Sequence, residues 1–297
     1  MPFPPEAFII GAQRSGTTSL SSLLDQHPGI VLSVPKEPDF FSINWDNGLD
    51  WYWARFRRHD ATLIDASVNY TMVPHADGSP QLPDTVPRRI HSLSPGAKFV
   101  YLVRDPGERC HSAYWHEVRA GRESRSLRQA VERSAYYVMA SYYHRQLSTF
   151  LHYFPLDRFY IIRFDDFARD PLGIARACSS FFGVQPADFS FQRERPRNQA
   201  FLYRRFGQFL RDIMGQKGLE RLSGIASRGL PGSLHPYAKR IVSHGVPELN
   251  LNDRAWLAEW FADDAAAFAR LTGVQVQNVP AGSRPGPAGQ TAGLAAR

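Results

Sequence analysis

The stretch Phe8–Leu24 constrains this chain more than any other. Phe8, Ile9 and Ile10 form a short apolar run bounded by a glycine, which predicts a strand covered on both faces. Leu20, Leu23 and Leu24 recur at helical spacing and predict a helix. Between them, Gly11 and Gly16 permit a tight turn that brings backbone N–H groups close to a ligand. Such groups at the start of a helix hold phosphate or a similar anion.

Strands and helices alternate along the rest of the chain. Gly29–Ser33, Thr62–Ser67 and Phe159–Phe164 read as strands, and Lys98–Val103 as the clearest buried strand after the first. Helices are expected at Gly48–Arg58, Arg88–Ser94, Tyr136–Tyr153, Pro171–Phe182 and Asn252–Thr272. A further helix follows Val103, with Asp105 placed to cap it and Pro106 to open it. Pro35 and Pro38 keep Val34–Phe41 out of a helix. Lys36, Glu37 and Asp39 therefore fall on a loop near the carboxyl end of a strand, where open α/β sheets gather their ligands. The pattern predicts a three-layer α/β fold, with a central parallel sheet between helices and a P-loop-like phosphate loop. Phe189–Ser233 departs from it and is basic and irregular. One domain is expected over residues 1–279, followed by a disordered Pro/Gly/Ala-rich tail over 280–297.

Lys and Arg number 35 against 28 Asp and Glu, a net charge of +7, and the pI is near 9.6. That balance admits an anionic ligand or partner. Cys110 and Cys178 are the two cysteines; they make neither a metal cluster nor a disulfide framework and predict a reducing compartment. The N-terminus has no basic segment followed by an apolar stretch, so no signal peptide is expected. No apolar run approaches the roughly 20 residues that span a bilayer. A soluble cytoplasmic protein is the expectation.

A P-loop carries Lys-Ser/Thr after its second glycine. Here Thr17-Thr18 stand in that place, and the cation, Arg14, lies inside the loop. Taken together, Gly11-Ala12-Gln13-Arg14-Ser15-Gly16-Thr17-Thr18, Lys36-Glu37-Pro38-Asp39-Phe40-Phe41 and Tyr101–Tyr114 resemble the sulfotransferases that use 3′-phosphoadenosine 5′-phosphosulfate (PAPS). Within them, the likeness is to the heparan sulfate glucosaminyl (N-/3-O-) branch and its bacterial relatives, over Phe8 to about Val274. The resemblance implies that Arg14, Ser15, Gly16, Thr17 and Thr18 hold the 5′ end of the nucleotide. Sulfuryl transfer puts negative charge on the bridging oxygen of the leaving phosphate, and N–H groups, hydroxyls and a cation stabilise it. Arg104 and Ser112 match the family's 3′-phosphate positions, the first as a bidentate donor and the second through one hydrogen bond.

Glu37 stands three positions before a Phe-Phe pair, where the glucosaminyl branch has its general base; an acceptor must lose a proton as it attacks sulfur. Lys36 is the candidate for steadying the sulfuryl oxygens. Asp39 is the second choice of carboxylate, and His27, His75, His111 and His116 are the histidine alternatives. The branch carries a lysine where Ala66 stands, so Lys36 or an arginine between Arg193 and Arg205 is expected to compensate. The family also closes a late basic loop on the nucleotide. Arg197, Arg204 and Arg205 fall in that region, and Arg204 is taken as a nucleotide contact. No metal is expected, because no γ-phosphate is cleaved.

These residues predict transfer from PAPS to a hydroxyl or amine of a glycan, glycolipid or small molecule, releasing adenosine 3′,5′-bisphosphate, with no nucleic-acid partner. Two other readings compete. A nucleotide or small-molecule kinase would need ATP and Mg²⁺; the missing lysine after Gly16 and the lack of a convincing Mg²⁺-holding aspartate at a strand end speak against it. A non-catalytic basic module for nucleic acid or anionic glycan draws only on the arginine-rich region and would lose affinity steeply with salt. Trp45, Trp51, Tyr52, Trp53 and Trp115 are an acceptor wall or core.

Overall fold

The computed structural model describes residues 4–72, 84–184, 201–203, 243–245 and 247–277. Five parallel strands form one sheet in the order β2-β3-β1-β4-β5: β1 is Ala7–Gly11, β2 Ile30–Leu32, β3 Thr62–Asp65, β4 Lys98–Val103 and β5 Phe159–Arg163. Every residue of β1 is buried, as the apolar run requires of a central strand. Side chains alternate across it. Phe8 and Ile10 join Phe99, Tyr101, Phe150 and Phe268 on one face, whereas Ala7 and Ile9 join Leu20, Leu23, Val100 and Cys178 on the other. A separate pair of short antiparallel strands joins Phe201–Tyr203 to Ser243–Gly245.

Helices cover both faces: α1 (Thr17–Leu24), α2 (Gly48–Trp53), α3 (Thr85–Leu93), α4 (Pro106–Ala120), α5 (Leu127–Arg133), α6 (Tyr136–Met139), α7 (Tyr143–Leu151), α8 (Phe164–Arg169), α9 (Pro171–Phe181), α10 (Leu251–Trp260) and α11 (Ala262–Thr272). The cap foreseen for α4 is present, with the Asp105 carboxylate accepting from the Glu108 N–H at 3.0 Å and Pro106 in the first turn. The chain leaves β1 toward β2 and β3 and returns on the other side of β1 to β4. The strand order thus reverses between β1 and β4, the place where α/β sheets open a crevice at their carboxyl ends.

Two expected helices are each a pair. Tyr136–Tyr153 breaks between Met139 and Tyr143. The buried Arg109 of α4 donates to the Tyr137 carbonyl and to Ser141 Oγ. The Ser141 N–H turns instead to the Val138 carbonyl at 2.8 Å, and the helix cannot continue. Asn252–Thr272 breaks at Phe261, because its halves serve different cores: Leu257 and Phe261 pack with α4, while Ala265 and Phe268 pack over the sheet. The Asp264 carboxylate also receives the His144 and Arg145 N–H groups at 3.0 Å each, fixing α11 to the start of α7.

Candidate active site

The loop after β1 is shaped at its two glycines. Gly16 precedes α1 with φ 93° and supplies no side-chain cap, so the first N–H groups of α1 lack intrahelical acceptors. A Cβ on Gly16 would stand 3.3 Å from the Phe164 ring. A Cβ on Gly11, at φ +149°, would stand 2.2 Å from Thr71 Oγ1, whose hydroxyl donates to the Ile10 carbonyl at 2.8 Å. Ser15 is fully buried.

Arg14 itself has φ 68° and reaches across to the second motif, its Nε donating to Ser112 Oγ at 3.3 Å. Burial first, then the Arg119 guanidinium, pull Arg14 below its ordinary pKa, and Arg104 and Arg109 add to this. Arg104 leaves the end of β4 and lies over the Phe164 ring at 4.9 Å, so that one ring underlies both Gly16 and Arg104. Its Nη2 pairs with Glu108 Oε2 at 3.3 Å. A cavity of about 580 Å³ opens here, with Arg14, Arg104, Ser112, Trp115, Arg119 and Arg254 in its wall. Asp105, Glu108, Asp165 and Glu248 contribute carboxylates to the same wall.

The second half of the crevice lies beyond β2 and β3. Lys36 Nζ stands 3.5 Å from Thr17 Oγ1 and 2.7 Å from Glu37 Oε1, so it joins the phosphate loop to the proposed base. Asp39 follows with φ 50°. Its N–H donates to Ser67 Oγ at 2.9 Å and its Oδ2 accepts from Asn69 at 3.0 Å. Oδ1 is buried without a partner among the described residues. Burial chiefly, with Glu37 and Asp65 adding to it, pushes the Asp39 carboxyl up to about 6. Asp65 stands at the end of β3, where a kinase would keep a metal-binding carboxylate. It is fully buried and already accepts from the Tyr52 and Tyr70 hydroxyls at 2.8 and 2.7 Å and from the Ser67 N–H and hydroxyl at 3.0 and 2.6 Å. That set fills its oxygens.

The structure therefore brings Arg14, Arg104 and Ser112 to one cavity and Lys36, Glu37 and Thr17 to a second cluster. Arg193, Arg195, Arg197, Arg204, Arg205 and His75 lie outside the described residues. Among the histidine alternatives, His27 accepts the Gly29 N–H on Nδ1 at 3.0 Å and lines a separate cavity with Thr18 and Lys36. His111 and His116 line the cavity, and burial pulls both below the ordinary imidazole value. Of the aromatics, Tyr52 is core, Trp45 and Trp51 pack against it, and Trp53 is exposed with its ring stacked on His59. Trp115 lines the cavity and donates to His111 Nε2 at 2.7 Å. Sequence reasoning missed Phe164, Arg119 and Arg254 as site residues. Phe164 read as the end of a strand, and the two arginines occupy helix positions whose facing depends on tertiary packing.

A family model described as "Sulfotransferase family" matches residues 5–188, more than half of the chain. Mouse heparan sulfate glucosamine 3-O-sulfotransferase 6 is 29% identical over 189 residues, covering 61% of this chain and 53% of that protein. Human bifunctional heparan sulfate N-deacetylase/N-sulfotransferase 2 is 25% identical over 298 residues, covering 93% of this chain and 30% of that protein. The chain thus spans about half the length of the first of these relatives and less of the second. A crystal structure of a sulfotransferase from Alicyclobacillus acidocaldarius shares the fold, with a TM-score of 0.63 at 23% identity over 94% of this chain and 99% of that one.

Proposed function

This chain belongs to the sulfotransferase family, and from that premise we propose that it moves a sulfuryl group from PAPS to an acceptor hydroxyl or amine. The observation that carries the reading is the meeting of Arg14 and Ser112 at 3.3 Å beside Arg104. Two strand ends and a helix face bring a guanidinium pair and a hydroxyl to one crevice, at the switch point of the sheet. The donor's adenosine 3′-phosphate would lie against Arg104 and Ser112. Its 5′ end would lie at the N-terminus of α1, against the Gly16, Thr17 and Thr18 N–H groups, with Arg14 between the two ends. Trp115, which lines the same cavity, would face the adenosine.

In the transfer step the acceptor lone pair forms the new bond to sulfur. The bond from sulfur to the bridging phosphate oxygen breaks, its electron pair stays on the phosphate, and Glu37 takes the acceptor proton. Lys36, between Thr17 and Glu37, would neutralise charge on the sulfuryl oxygens and supply the cation that Ala66 does not. The curated relatives are named for heparan sulfate glucosamine; for this chain a hydroxyl or amine of a glycan, glycolipid or small molecule is proposed. A cytoplasmic setting is proposed from the two reduced, buried cysteines.

Calorimetric titration with adenosine 3′,5′-bisphosphate tests the donor site. The wild-type chain should bind it without added metal. Arg14→Ala and Arg104→Ala should each weaken binding by about tenfold or more, as expected for losing a charged hydrogen-bond donor. Undiminished affinity in both variants would overturn the assignment.

A further inference from the structure

Glu108 stands one turn before Ser112 on α4 and faces the same cavity. Its two carboxylate oxygens are held by different guanidiniums: Oε2 by Arg104 Nη2 at 3.3 Å, and Oε1 by Arg254 Nη2 at 2.6 Å. Arg104 comes from the end of β4, whereas Arg254 comes from α10, far later in the chain. Packing explains the meeting. A Cβ on Gly107 would stand only 3.1 Å from Leu257 Cβ, so the glycine lets α10 approach α4 closely. Leu257 is buried at that contact. Arg254 precedes it by three residues and therefore shares its face of the helix. The start of α10 is held by Arg128, whose Nε pairs with Asp253 Oδ1 at 2.7 Å. Arg254 is itself 44% exposed; it reaches over the cavity and has no part in the core.

Two guanidiniums from separate elements that close on one carboxylate define a position for an anion. A phosphate there offers the same donors three oxygens and a larger charge, with the Ser112 hydroxyl next to it on α4. We propose that Arg254 is a third ligand of the donor's 3′-phosphate, and that Glu108 holds Arg104 and Arg254 in register until the phosphate takes its place. This rests on the reading of the cavity as the nucleotide site. Arg254 is then a selectivity residue: it contributes to nucleotides that carry a 3′-phosphate and nothing to those that lack one.

The test compares adenosine 3′,5′-bisphosphate with adenosine 5′-monophosphate by calorimetry, at one ionic strength, on the full chain and on Arg254→Ala and Arg254→Lys. For Arg254→Ala the bisphosphate affinity should fall about tenfold while the monophosphate affinity stays unchanged. Arg254→Lys, which keeps the charge without the fork, should fall less. An unchanged ratio of the two affinities in Arg254→Ala overturns the inference, as does an equal loss for both ligands, which would mark a merely structural role. A wild-type chain that binds neither nucleotide overturns the reading of the cavity and this inference with it. Binding by the wild type with an unaltered ratio in the variant overturns this inference alone.

Discussion

The two halves of the crevice are built in opposite ways. On the β1–β4 side, arginines crowd one another: Arg14 is pulled below its ordinary pKa by burial and by Arg119, Arg104 and Arg109. On the β2–β3 side, carboxylates crowd: Glu37, Asp39 and Asp65 lie near one another, and burial together with its acidic neighbours pushes Asp39 up to about 6. The first half gains by taking in an anion. In the second, burial and the acidic neighbours favour the protonated form of Asp39. Lys36 stands at the border, with Thr17 Oγ1 on one side and Glu37 Oε1 on the other. Under the proposed roles, donor binding and proton removal would fall to separable sets of residues.

The largest expected effect comes from removing Glu37, the proposed base, while leaving the donor half intact. Glu37→Gln should lower labelled-sulfate transfer, to whichever acceptor the wild type labels, by about 10²–10⁴-fold. Affinity for adenosine 3′,5′-bisphosphate should stay within about twofold of wild type, because Glu37 lies outside the arginine cavity. A variant that lost both together would break the separation of the two halves.

Gly11→Ala strikes β1, the strand that lies between β3 and β4. The added Cβ would meet Thr71 Oγ1 at 2.2 Å on a backbone at φ +149°. A loss of about 2–4 kcal/mol in folding stability is expected from the overlap and the backbone strain, read from the urea midpoint. Adding Thr71→Ala should restore part of it. If Gly11→Ala unfolded at the wild-type midpoint, the close approach of β1 to Thr71 would not be real.

What could be read beforehand follows from how local its cause is. β1, the turn and α1 lie within Phe8–Leu24 and are fixed by an apolar run, two glycines and helical leucines. The α4 cap was legible because Asp105 and Pro106 adjoin the helix they start. The break at Ala140–Tyr142 was not, since it depends on Arg109 taking the Tyr137 carbonyl from another helix. The break at Phe261 was equally hidden, because a continuous amphipathic pattern does not reveal that its halves face two cores. In the site, Arg14, Arg104 and Ser112 could be named from the resemblance of their motifs to those of the family. Their convergence could not, because Arg14 meets Ser112 only through the adjacency of β1 and β4. Arg254 was invisible for the same reason: its facing is set by Gly107 and Leu257 packing.

The smallest expected effect probes the acidic half through pH. Asp39 is pushed up to about 6 in the folded chain, from an unfolded value near 4. Across that window the folded chain binds more protons than the unfolded one, so this group lowers stability as pH rises from about 4 to about 6. Above that range its contribution is constant. The groups that set it are Glu37, Asp65, Asn69 and Ser67; replacing the carboxylate with an amide removes the titration and leaves those neighbours in place. Asp39→Asn should therefore gain stability relative to wild type between pH 4 and pH 6, by about 1 kcal/mol after solvent screening of a partly exposed group. Urea midpoints of both proteins at several pH values give the difference directly, and titrating groups that are not coupled to Asp39 cancel in it. A difference that stays level across the window would mean that the folded chain does not raise the Asp39 carboxyl, and the contrast between the two halves would lose its acidic side.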